Sequence, residues 1–325
     1  MRAGMILALT GDMKKFVLIV ALALFPVPLL AQRSSPQADT PPTTSPGHEL
    51  TFSLGGYNYV EPGDTRISIH GMKLGGEYAG TFLLSAGHHW FAQTNVRAAF
   101  GKTNYDGWCA PWFITPDRSS PNGYFLDLGD YSPCDDAGNQ DWYVEGRGLI
   151  GKDFVRHEWT FSPEAGIGLR HLSNALDEIA GFRTDNYLYL PVGVTAQTAV
   201  GSGVLSFNFE YDQLLRGRQK TIDSALGGGD VPATSTAPAF TINSFTDLSF
   251  EQHQGFGVRA SAKYEFNRRW SVEPYWIYWG VDDSTTSDAS VTFTVRGIPA
   301  VEQFSAVEPK NWTNEFGMKL SVRFR

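Results

Sequence analysis

Two cysteines, Cys109 and Cys134, are the only thiols in the 325-residue chain. In an exported protein such an even pair favours a disulfide. Closing a loop of that length restricts the unfolded chain by roughly 3–4 kcal/mol on the chain-entropy model. With no histidine nearby they make too few ligands for a zinc site, and neither a metal nor another cofactor is expected. Adjacent acids occur at Asp135-Asp136, Asp177-Glu178 and Asp282-Asp283, all in presumed outer connections where such pairs are solvated. His171 and Ser173, with Asp185 further on, place an imidazole, a hydroxyl and a carboxylate within a short stretch at a strand-to-loop edge. Gly227-Gly228-Gly229-Asp230 lacks the strand-then-helix context of a phosphate cradle and reads as a flexible loop tip.

The elements that must position these groups are strands. From residue 49 onward apolar and polar residues alternate with period two. Phe256, Val258, Ala260, Ala262, Tyr264 and Phe266 share one face, against Gly257, Arg259, Ser261, Lys263 and Glu265 on the other. The C-terminus does the same, with Phe316, Met318, Leu320, Val322 and Phe324 against Gly317, Lys319, Ser321 and Arg323. The pattern predicts ten strands, near 49–60, 66–80, 89–102, 141–153, 157–171, 186–199, 203–217, 253–266, 269–282 and 312–324. Connections after even-numbered strands are short. Those after odd-numbered strands are longer and rich in Gly, Pro, Asp and Ser, except the first, Glu61 to Arg66. Short turns on one side and long loops on the other is the layout of an outer-membrane barrel. Aromatics gather near strand ends, as interfacial girdles do: Trp90, Trp142, Trp159, Trp270 and Trp312 are examples.

The N-terminus fits export. Lys14-Lys15 precede an apolar run that ends near Pro26, and Ala31 offers a small residue for cleavage, so residues 1–31 read as a signal peptide. Residues 32–48, rich in Ser, Pro, Thr and Gln, read as a disordered periplasmic linker. Charged residues make up 18 % of the chain, the formal net charge is -8, and mean hydropathy is -0.22. A helical membrane protein would carry several long apolar runs. There is no basic run of the kind that binds nucleic acid.

With the apolar faces turned to lipid, the inward set holds Lys73, Glu77, Arg97, Glu145, Arg147, Glu164, Arg170, Glu210, Asp212, Arg259, Lys263, Glu265, Glu273, Lys319 and Arg323. Buried charges must pair or lose their charge. A barrel of eight to ten strands is narrow enough for side chains to fill. The expectation is a lumen plugged by a charged network, with a pore lined by both signs as the alternative.

Two segments resemble known families. Gly166-Ile167-Gly168-Leu169-Arg170-His171-Leu172-Ser173-Asn174, followed by Arg183-Thr184-Asp185-Asn186-Tyr187-Leu188-Tyr189-Leu190-Pro191-Val192-Gly193, is similar to a segment recurring in uncharacterised bacterial outer-membrane barrels. The C-terminal strand, with Phe324 one residue from the end, resembles the signal read by barrel-assembly machinery. The length and strand number are similar to those of the ten-stranded omptin proteases, but the Asp-x-His of that family is absent. His171-Leu172-Ser173-Asn174 also resembles the His-x-Ser-Asn motif of the outer-membrane lipid A deacylases. That resemblance implies ester hydrolysis, with Ser173 as nucleophile, His171 as general base and Asp185 orienting the imidazole. By alternation with Ile167 and Leu169, His171 falls on the lipid face, whereas Asp185 is out of phase with Leu188 and Leu190.

The sequence therefore reads as an exported all-β protein, a transmembrane antiparallel up-and-down barrel over 49–325. Its leading role is non-enzymatic, structural or interaction-based, with surface loops that contact an extracellular ligand or a barrel that supports envelope integrity. A narrow solute channel and a deacylase-type esterase remain the alternatives. The expected partners are outer-membrane lipid and lipopolysaccharide, with barrel-assembly machinery during insertion.

Overall fold

A computed structural model describes residues 45–63, 66–176, 181–226, 228–267 and 269–324. The signal peptide, most of the linker and the acidic pair Asp177-Glu178 lie outside these residues. The strands are β1 (Gly47–Glu61), β2 (Ile67–Ser85), β3 (Trp90–Cys109), β4 (Trp112–Pro116), β5 (Tyr124–Leu128), β6 (Ser132–Lys152), β7 (Phe154–Arg156), β8 (Trp159–Leu176) and β9 (Gly181–Val200). They continue with β10 (Gly203–Ile222), β11 (Gly229–Val231), β12 (Phe240–Phe245), β13 (Leu248–Gln252), β14 (Gly255–Phe266), β15 (Trp270–Val281), β16 (Ser287–Val295), β17 (Ile298–Ala306) and β18 (Asn311–Phe324).

Ten of them, in the cyclic order β1-β2-β3-β6-β8-β9-β10-β14-β15-β18, form a closed antiparallel barrel. Closure is the β1–β18 ladder, which runs from His48↔Phe324 to Val60↔Trp312. All ten predicted strands are present, and closure leaves no barrel edge with unpaired backbone groups. Several barrel strands outrun their predicted outer ends. β3 continues to Cys109 and β10 to Ile222, and both carry polar outer faces beyond the apolar band.

The outer wall is apolar where lipid would lie. Phe52, Leu54, Phe100, Ile167, Leu169, Phe209, Phe316 and Met318 are all exposed, Phe100 by 65 % and Phe316 by 63 %. A contiguous apolar surface on this scale is incompatible with water and suits a bilayer. Above Phe100 the same face of β3 turns to Lys102, Asn104 and Asp106, which marks the end of that band.

The short turns are tight. His89, His157, Gly201 and Asn267 each take a left-handed backbone, with φ between 56° and 59°. Gly201-Ser202 is a two-residue turn between the paired Val200 and Gly203. On the opposite side the long connections are not irregular. Their β4–β5 hairpin and the four-stranded sheet β11-β12-β16-β17 build a cap. Ile114 and Leu126 of the hairpin share one core with Phe240, Ile242, Val291, Phe293, Val295 and Ala300 of the sheet. This corrects the loop-tip reading of the glycine run: Gly229 and Asp230 pair with Ile242 and Thr241 in β11–β12, while Gly227 lies outside the described residues. Cys109 and Cys134 form a disulfide across the β3–β6 ladder, at the base of the β4–β5 hairpin.

Candidate functional site

The lumen is built by the inward half of each alternation. Arg259 on β14 donates to Glu145 on β6 at 2.9 Å and to Asp212 on β10 at 2.7 Å. Arg147 pairs with Glu210, bridging β6 to β10 across two intervening strands. Arg97 pairs with Glu315, whose carboxylate also accepts from the Tyr143 and Tyr275 hydroxyls at 3.0 and 2.8 Å. Lys319 reaches Glu77 at 3.0 Å and Glu273 at 3.5 Å. Lys263 meets Glu49 at 2.6 Å, and Arg323 meets Glu265 at 3.1 Å. Nearer the outside, Lys73 meets Asp141 at 2.5 Å and lies 3.3 Å from the centre of the Tyr57 ring.

Of the network residues proposed from sequence, Glu77, Arg97, Glu145, Arg147, Glu210, Arg259, Lys263, Glu265, Lys319 and Arg323 thus sit in ion pairs. Glu164 is buried and accepts from Asn208 at 3.4 Å. Arg170 is buried but makes no ion pair among the described residues. Sequence reasoning missed the partner acids Glu49, Asp141, Glu308 and Glu315. Asp141 and Glu315 belong to the inward alternation of predicted strands, so counting the phase to the strand ends would have found them. Glu308 is in a connection and carried no such signal.

Glycines make room for the large lumenal rings. A Cβ on Gly168 would lie 2.1 Å from the ring of Tyr189, which is fully buried and donates to Glu145 at 2.6 Å. At Gly55 a Cβ would meet the Tyr275 hydroxyl at 2.5 Å.

Above this network a cleft opens at the outer end of the lumen. Tyr57, Tyr187 and Trp279 supply aromatic wall, and Arg170, Arg183 and Asp185 supply charge. Tyr187 stacks on Trp279 with ring centres 5.8 Å apart. Arg183 holds Glu61 at 3.2 Å and pairs with Glu308 from the β17–β18 connection. Burial pushes the Glu308 carboxyl above the usual range, against the pull of Arg183 and with Glu61 adding to the rise. The two acids are thus tied to one cation at the cleft mouth.

The three residues with esterase-like chemistry are split between faces. His171 lies on the outer wall, where its Nδ1 is 2.8 Å from the Asn186 side-chain oxygen and its ring is 5.1 Å from that of Trp142. Ser173 is two residues along β8, paired with Trp142 and Thr184. Asp185 lines the lumenal cleft, in phase with Tyr187 and Tyr189. Imidazole and carboxylate therefore lie on opposite sides of the barrel wall. Their spacing in sequence matches the deacylase motif, but Asp185 is one step along the strand from Asn186, which is the residue that reaches His171, and so faces the other way.

No family model matches the chain, and no curated protein matches it. Solved structures do. The outer membrane protease OmpT from Escherichia coli aligns over 88 % of this chain and 99 % of its own, at 10 % identity and a TM-score of 0.48. The translocator domain of the autotransporter NalP from Neisseria meningitidis aligns over 96 % and 95 %, at 10 % identity and a TM-score of 0.32. The Pseudomonas putida toluene transporter TodX aligns over 86 % and 90 %, at 8 % identity and a TM-score of 0.31. These neighbours differ in what their names say they do. The ladder and its apolar wall make this chain an outer-membrane β-barrel, and the likenesses add no activity to that.

Proposed function

We propose that the protein is a non-conducting barrel of the Gram-negative outer membrane that works through its outer face, by binding rather than by catalysis. The observation that carries this is the set of ion pairs joining strands that are not neighbours. Arg259–Glu145, Arg147–Glu210 and Arg97–Glu315 each cross the lumen, and the flanking tyrosines fill the space between them. Paired, desolvated charges hold their geometry more tightly than a water-filled pore lining would. The apolar wall and the segment at 1–31 that reads as a signal peptide agree with that location. In this reading lipopolysaccharide and outer-membrane lipid surround the barrel, assembly machinery inserts it, and the cap and cleft face the ligand.

Purified barrel in a planar bilayer should show no steady single-channel openings, and steady openings would defeat the closed-lumen reading. Mass spectrometry of lipid A from cells expressing the protein, beside cells expressing Ser173→Ala, should give the same acylation pattern. Loss of an acyl chain with the intact protein alone would make it an esterase instead.

A further inference from the structure

Among the lumenal cations named above, Arg170 differs from the rest. It is 4 % exposed, and its guanidinium carbon lies 4.8 and 5.6 Å from the ring centres of Tyr143 and Trp279. Its Nε has no hydrogen-bond partner, and among the described residues no carboxylate pairs with it. The nearby lumenal acids are engaged elsewhere. Asp141 is taken by Lys73 and by Asn174 at 2.9 Å, Glu315 by Arg97 and two tyrosines, and Glu145 by Arg259 and Tyr189. A desolvated cation without an acceptor is costly, so such a group in a native fold marks a place where an acceptor arrives from outside.

Asp185 is the complement. It lines the same cleft, where Arg183 and, more weakly, Arg170 act on its buried carboxyl. The indole Nε1 of Trp279, 2 % exposed, is likewise without a partner. A guanidinium and a carboxyl group thus face one aromatic-walled cavity with no hydrogen bond between them. Neither sign alone is satisfied by a simple anion or a simple cation.

We propose that this cleft binds a small zwitterion of the α-amino-acid type, its carboxylate on Arg170, its ammonium on Asp185 and its apolar body against Tyr57, Tyr187 and Trp279. The Tyr143 and Trp279 rings restrict the guanidinium's position, and its planar fork offers a two-point contact to a carboxylate. The proposal rests on the reading of the barrel as a non-conducting protein that works through its outer face.

The test is calorimetry on the intact barrel in detergent micelles, titrated with L-phenylalanine, L-leucine and L-arginine, and with hydrocinnamate and phenethylamine as the two halves of phenylalanine. At least one amino acid should bind. Each half-ligand should bind about tenfold or more weakly than L-phenylalanine, the loss expected for one charge-assisted contact. Arg170→Gln should abolish amino-acid binding. Asp185→Asn should reduce L-phenylalanine to the level of hydrocinnamate and leave hydrocinnamate unchanged, which keeps the proposal testable if Arg170→Gln does not fold. No binding by any of the amino acids, on protein shown folded by its heat-modifiable gel migration, overturns the proposal. So does equal binding of L-phenylalanine and both halves. Bilayer recordings on the same preparation separate the failures: silence without binding sinks only the zwitterion site, and steady openings sink the closed barrel beneath it.

Discussion

Strand β14 in the barrel wall and strand β16 in the cap share one pattern and face opposite ways. In β14, Phe256, Val258 and Ala260 point outward while Arg259 is buried. In β16, Ala289, Val291, Phe293 and Val295 are buried, and the Ser and Thr residues between them face out. Both strands alternate with period two, and each sends its apolar half toward whatever is not water. For β14 that is the bilayer, so the charges are left inside and must be paired. For β16 it is the core shared with the β4–β5 hairpin, and the polar half meets solvent. The protein therefore has two cores of opposite chemistry, one ionic and one apolar, stacked along the barrel axis.

If that contrast is right, the two cores should fail differently. Glu315→Leu leaves Arg97 buried without its carboxylate and should destabilise the barrel by about 3–5 kcal/mol, seen as a lower urea midpoint and loss of heat-modifiable migration. The double variant Arg97→Met with Glu315→Leu should recover much of that loss, because the cost lies in the unpaired charge. If the single variant alone is harmless, the lumen is not an ionic core. In the cap, Phe293→Ala should cost about 3–4 kcal/mol of local stability by leaving a cavity. Limited proteolysis should then cut the outer connections while the barrel migrates normally. A variant that also unfolds the barrel would show the two cores to be one cooperative unit.

Reduction of Cys109–Cys134 should loosen the base of the β4–β5 hairpin by up to about 3–4 kcal/mol, the chain-entropy value for a loop of this length. Faster cleavage near residues 117–123 and an unchanged barrel are expected. Unchanged cleavage would mean that the shared core with Phe240 and Phe293 holds the hairpin without the bond.

The smallest effect concerns Asp223, between β10 and β11. Burial and the nearby Asp247 push its carboxyl up to about 6. The folded state then binds the proton more tightly than the unfolded one, so this connection gains stability as pH falls through about 6 and loses it as pH rises. Hydrogen exchange in the connection, corrected for intrinsic rates, should be slower below about pH 5 than above about pH 7. Asp223→Asn should flatten that difference.

Particular residues show what was legible. Strand positions and lipid-facing residues such as Phe207, Phe209 and Phe316 follow from alternation, because a tilted strand of about ten residues spans a bilayer with one face in lipid. The inward position of Arg259, Glu145 and Arg147 follows from the same phase. Their partners do not, since Arg259 meets Glu145 across the lumen at 114 residues of separation. The esterase-like set shows the limit from the other side. His171 and Asp185 suit one another in type and spacing, yet the β8–β9 register puts Asn186 beside the imidazole and turns Asp185 to the lumen. The cap was legible as loop composition only, because its short strands become strands by packing on segments from other connections.

By itself the sequence determines the period, the number of membrane strands, the apolar band and the stock of charges, all of which are local properties of residue type and spacing. Which acid meets which base, which side of β16 is dry, and why Arg170 and Asp185 are left facing one cleft are decided by the tertiary structure. The shear of the closed barrel sets which side chains meet across the lumen, and no local pattern carries that information.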